Sequence, residues 1–124
     1  MKNLTVVLAA LAAGACAAER RPPGARFPIC LYSMSQPSGL REVVESGFDC
    51  VYPHLGDPGG IEVARSARRL GLSLILDAGQ AQAAPQDEIR RWPVLAWHLQ
   101  DEPDVNNVSP AQLEAFSQKV RAWN

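Results

Sequence analysis

Three observations predict an α/β fold of parallel β/α units. Between Phe27 and Asn124 a strand-like apolar run alternates four times with a segment of helical character. Gly, Pro and capping residues stand at the joints between these segments. Strands separated by single helices also call for right-handed parallel crossovers and a layered architecture.

The first strand reads over Phe27 to Met34, FPICLYSM. It is followed by SGLREVVESG, where Leu40, Val43 and Val44 form a helical stripe that Gly47 terminates. The second strand spans Phe48 to Leu55. After the turn residues Asp57-Pro58-Gly59-Gly60, Ile61, Ala64, Ala67 and Leu70 share one helix face, and Gly71 supplies the C-cap. A plain turn is a better reading of Gly59-Gly60 than a phosphate site. Leu72 to Ala78 is the third strand, and Pro85 opens a short helix over QDEIRRW. Val94 to Gln100 is the fourth strand. Ser109, Pro110 and Gln112 then form an N-cap, a proline at the first helical position and a capping box, followed by Leu113, Phe116, Val120 and Trp123 at helical spacing.

Two architectures accommodate this order. A closed (β/α)₈ barrel takes about 250 residues, so four units of a 124-residue chain make the N-terminal half of one. An open doubly wound sheet suits the length, but its glycine-rich phosphate turn is missing after the first strand, where the sequence is MSQPSG. The half barrel is the preferred expectation, with residues 27 to 124 as the domain.

The residues before it read differently. Residues 1 to 18, MKNLTVVLAALAAGACAA, have a lysine, a short apolar run and then small residues, the layout of an export signal. The run is shorter than the roughly 20 residues of a membrane-spanning helix. Ala15-Cys16-Ala17 fits signal cleavage, whereas Ala13-Gly14-Ala15-Cys16 resembles a lipobox, in which Cys16 is lipidated and anchors the chain to a membrane. Residues 19 to 26, ERRPPGAR, form a linker with no apolar face. The expected location is therefore periplasmic, extracellular or lipid-anchored to the cell envelope.

Composition narrows the partners. With 12 basic and 13 acidic side chains there is no electrostatic footprint for nucleic acid. No Cys/His ligand spacing points to a metal, and no cofactor motif stands out. Cys30 and Cys50 fit a disulfide of an exported protein or, at least equally well, two buried thiols, because adjacent parallel strands rarely hold two side chains in disulfide geometry.

Candidate site residues come from strand parity. On the fourth strand Leu95, Trp97 and Leu99 share the side under the helices, while Ala96, His98, Gln100 and Glu102 share the other. The second set turns polar toward the strand's C-terminal end, where a barrel builds its site. Tyr52 and His54 on the second strand and Asp77 on the third occupy comparable positions. Glu102 is the leading functional candidate. Tyr52, His54, Asp77, His98 and Gln100 are candidate binding residues, and Asp101, on the opposite parity, reads as a capping or solvated carboxylate. Trp92 and Trp97 read as core residues and not as sugar platforms.

The stretch PVLAWHLQDEPD, residues 93 to 104, resembles the fourth-strand signature of TIM-barrel glycoside hydrolases, in which a tryptophan precedes Asp-Glu-Pro by a few residues. The resemblance extends over the rhythm of residues 27 to 124, including SGFDCVYPHL before and through the second strand. It implies a carbohydrate substrate, with Glu102 as the general acid/base. In that superfamily the nucleophile usually closes the seventh strand, a position without a counterpart among these four units, so the isolated chain is expected to be inactive. The alternative expectation is a non-catalytic carbohydrate-binding or interaction protein that self-associates as a half barrel.

Overall fold

The computed structural model describes residues 27–123. The leader over residues 1 to 18, lipidation at Cys16 and the linker over 19 to 26 lie outside the described residues. Four strands, β1 (Cys30–Met34), β2 (Cys50–Pro53), β3 (Ser73–Asp77) and β4 (Val94–His98), form an all-parallel sheet in the order β1-β2-β3-β4. Helices α1 (Leu40–Glu45), α2 (Gly60–Leu70), α3 (Ala78–Ala81), α4 (Gln86–Ile89) and α5 (Pro110–Arg121) connect and follow them. The α/β class and the parallel β/α succession agree with the periodicity. Among the described residues no helix is long and apolar enough to cross a membrane.

The core lies on one face of the sheet. Val51, Leu74 and Leu76 from the strands meet Leu40 and Val43 of α1, Val63, Ala64 and Ala67 of α2, Ala81 of α3 and Ile89 of α4. Trp92 joins them, and Trp97 packs on the margin with its ring centroid 5.2 Å from that of Trp123. Both tryptophans thus pack against apolar neighbours. The buried indole N–H of Trp97 has no hydrogen-bond partner among the described residues.

Local signals account for most of the helix ends. Gly71 adopts φ 73° and donates its N–H to the carbonyls of Ala67 and Arg68, closing α2 in the left-handed conformation that glycine tolerates best. The Ser109 hydroxyl accepts from the Gln112 N–H, and the Gln112 Oε1 accepts from the Ser109 N–H at 2.8 Å, which completes the capping box of α5. Gly60 answers a steric demand, since a Cβ there would run into the His54 carbonyl. The start of α2 can therefore sit directly against the end of β2.

Several boundaries differ from the sequence expectation. The third strand ends at Asp77, because the Asp77 carboxylate accepts the Gln80 N–H at 2.8 Å and starts α3, a helix the periodicity had not indicated. The fourth strand ends at His98 and not at Gln100. Leu95 is an extra residue between the pairs Leu74–Val94 and Ile75–Ala96, and it is 48% exposed instead of lying under the helices. A similar bulge in β1 sets Tyr32 and Ser33 opposite Tyr52, between Leu31–Val51 and Met34–Pro53.

Of the two readings open for Cys30 and Cys50, the structure has the disulfide and not two thiols. Cys30 and Cys50 are register partners on adjacent strands with Cα atoms 4.5 Å apart, inside the range a disulfide spans. Alternation from Leu31 and Val51, both core-facing, puts the two cysteines on the same opposite face.

Candidate functional site

Strand residues that alternate with the core set share the second face, and at its C-terminal end three of them meet. The Tyr52 hydroxyl lies 3.3 Å from Asp77 Oδ2 and 3.1 Å from His98 Nδ1, and that nitrogen lies 3.3 Å from the same Asp77 oxygen. One proton arrangement satisfies all three groups. Tyr52 O–H donates to Asp77, and His98 Nδ1–H is shared between Asp77 and the Tyr52 oxygen. His98 Nε2 faces the next loop, 4.0 Å from Asp101 Oδ1. Burial, and next the negative charge of Asp77, hold the Tyr52 hydroxyl above the usual tyrosine range, so it remains a donor. Asp77 has a second duty, because its Oδ1 caps α3 while Oδ2 serves this triad.

His54 belongs to a neighbouring group. Its Nε2 is 3.1 Å from the Ser33 hydroxyl, and its ring stands edge-on to Tyr52 and Tyr32, with centroids 5.8 and 6.3 Å away. Tyr32 and Tyr52 pack at a 4.8 Å centroid distance, so aromatic contacts join the two polar groups into one surface. Ser33 and Tyr32 were not among the sequence candidates. Tyr32 shares the parity of Cys30 and was accessible to the alternation argument, whereas Ser33 reaches this face through the β1 bulge, for which the sequence carries no marker.

Glu102 and Gln100 are placed differently. Because β4 ends at His98, strand parity no longer decides where these two side chains point. Gln100 Nε2 donates to the adjacent Asp101 carbonyl at 3.3 Å. Glu102 is exposed, has φ 40°, and its carboxylate has no hydrogen-bond or ion-pair partner among the described residues. Its carbonyl accepts the Asn106 N–H at 2.9 Å, and Asn106 Nδ2 donates to the Asp101 carbonyl at 2.8 Å, so Asn106 closes the turn that carries the acidic pair. Tyr52, Asp77 and His98 are brought together, His54 joins them through ring contacts, and Gln100 and Glu102 stand on the loop that leaves β4.

A separate groove of about 430 Å³ lies between α2 and α4, lined by Arg65, Arg68, Arg69, Arg91, Glu88 and Trp92. Arg65 makes a bidentate contact with Glu88 at 2.6 and 2.8 Å, which holds the Glu88 carboxyl below its usual range. Arg69 pairs with Glu62 and Arg91 with Asp87, so this groove is a set of solvated ion pairs on the helix layer. Among the described residues no group of three or more His, Cys, Asp or Glu is arranged to hold a metal ion.

Comparison with protein-family models, with curated proteins and with solved structures finds no match.

Proposed function

We propose that this domain is the N-terminal half of a (β/α)₈ barrel of glycoside hydrolase type, exported from the cell, with Glu102 as general acid/base. In this reading Tyr52, His54, Asp77, His98 and Gln100 contact the carbohydrate. One observation carries it: four parallel strands follow one another in sequential order with the core on one face, and Tyr52, Asp77 and His98 converge at the C-terminal ends on the other. That is the position of the site in barrels of this kind. The Cys30–Cys50 disulfide is consistent with export, as is the leader-like composition of residues 1 to 18.

Glycosidic cleavage needs an acid for the departing oxygen and a second carboxylate, about 5 to 5.5 Å away as nucleophile or about 6.5 to 9.5 Å away as base for water. Glu102, exposed and unpartnered, suits proton exchange with a substrate that covers it. Asp77 is committed to Gln80, Tyr52 and His98, so it suits orientation better than attack. The second carboxylate is assigned to β/α units beyond these four.

The test is Glu102→Ala in a barrel completed by four further units. Loss of the acid should slow cleavage of natural glycosides by about 10²–10⁴-fold, spare activated aryl glycosides in the first step, and make turnover responsive to azide. Equal loss on both substrate types with no azide effect would remove Glu102 from the acid/base role.

A second reading, a carbohydrate-binding or interaction protein that pairs two half barrels, is favoured by apolar exposure. Tyr32 is 67% exposed and Leu95 48% on a parallel sheet of a kind normally covered on both faces, and Ile29, just before β1, is 52% exposed. Two measurements together separate the readings: a discrete sugar-binding dimer of the full chain in sedimentation, with no cleavage by the barrel completed with four further units, supports the second.

A further inference from the structure

The geometry points to Ser33 and His54 as a nucleophile and general-base pair that cleaves small carboxylic esters, a second activity that does not rest on the sugar reading. The Ser33 hydroxyl lies 3.1 Å from His54 Nε2, across the C-terminal ends of β1 and β2. This is the contact an activated serine needs. The histidine ring is held edge-on between Tyr52 and Tyr32, which restrains the orientation that a third polar group supplies in other hydrolytic sites.

Two further observations separate this pair from an ordinary surface hydrogen bond. Ser33 adopts φ 65° inside the β1 bulge, a left-handed conformation that Gly or Asn occupies at lower cost. Backbone strain of this kind persists where the surrounding structure over-determines it, and it gathers at functional positions. The contact is also exposed, so the stability it contributes is small and does not account for the strain. What the bulge achieves is to set Ser33 and Tyr32 side by side opposite Tyr52, with the hydroxyl on His54 and accessible to solvent.

The chemistry balances with water as the only co-reactant. Ser33 Oγ attacks the ester carbonyl carbon while His54 Nε2 takes the hydroxyl proton. The bond to the leaving alcohol then breaks as His54 returns that proton to its oxygen, which leaves an acyl group on Ser33. Water attacks the acyl carbon, gives a proton to His54, and releases the acid as the proton returns to Ser33 Oγ. Tyr32, 67% exposed beside the pair, offers a ring face to an apolar or aromatic portion of the ester. The substrate class is therefore a small aryl or apolar ester.

The experiment treats the full chain with an alkyl fluorophosphonate and follows intact mass, with peptide mapping of the adduct and circular dichroism of every variant. One adduct per chain, mapped to Ser33, is expected. Ser33→Gly keeps a residue suited to the left-handed backbone and should abolish it. His54→Gln should slow its formation by about 10²-fold or more, the usual scale of general-base assistance. Hydrolysis of p-nitrophenyl acetate should fall in parallel in both variants. If Ser33→Gly does not fold, the mapped adduct and the His54→Gln rate decide the matter alone. No adduct on the native chain, an adduct mapped elsewhere, or labelling unchanged in His54→Gln would overturn the assignment.

Discussion

The two faces of the sheet are made by alternate residues of the same strands, yet they obey different physics. On β3, Leu74 and Leu76 are fully buried under α2 and the turns that follow, while Ile75 and Asp77 between and beyond them are only half-buried. The first face gains stability by removing apolar area from water, and almost any well-packed aliphatic set would serve. The second face also buries Cys50 and Tyr52 of β2, but it spends its positions on a disulfide, an aromatic pair and two polar groups, whose value depends on geometry as well as area. The comparison teaches that a one-residue step along a strand separates what holds this fold together from what it has to offer a ligand.

The largest effect should come from the first face. Leu76→Ala deletes a fully buried side chain and should cost about 2 to 5 kcal/mol, whereas Tyr32→Ala on the second face should cost less than about 1 kcal/mol. Urea denaturation of both variants measures the difference, and similar losses would mean that the second face is as much a core as the first. Next in size is the disulfide. Replacing Cys30 and Cys50 by Ser together removes a cross-link across a sequence separation of 20 residues, which should lower stability by about 3 kcal/mol, and native protein with and without reductant should show the same gap. A shift below about 1 kcal/mol would show that strand pairing alone secures β1.

The smallest effect sharpens the comparison through pH. Tyr52→Phe leaves Asp77 and His98 with each other and should cost on the order of 1 kcal/mol near neutrality. The folded state raises the Tyr52 pKa above its unfolded value, through burial first and Asp77 next, so native protein holds that proton where the unfolded chain has lost it. Stability from this group is complete below about pH 10 and declines as pH rises beyond it. Tyr52→Phe should flatten that alkaline decline, and denaturation midpoints measured between pH 8 and 11 provide the check. An unchanged slope would assign the decline to other groups.

Legibility from sequence followed the same division. The buried stripe of α2, its Gly71 cap and the capping box at Ser109 are contained in short windows, because each depends on contacts within a turn or two. Tyr52, Asp77 and His98 were each reachable by alternation, since parity holds wherever a strand runs regularly. That they share one hydrogen-bonded cluster was not reachable, because their contacts span 21 to 46 residues.

The amino-acid sequence alone determined the α/β class, the order of the strands and of every helix except α3, and the side of each regular strand that faces the helices, all through local periodicity and capping chemistry. Only the tertiary structure decided where regularity stops. The bulges at Ser33 and Leu95 arise from register against a neighbouring strand, and the joining of Cys30 to Cys50 from their becoming register partners. Each depends on two segments fitting together, and a period read along one segment carries no information about the fit.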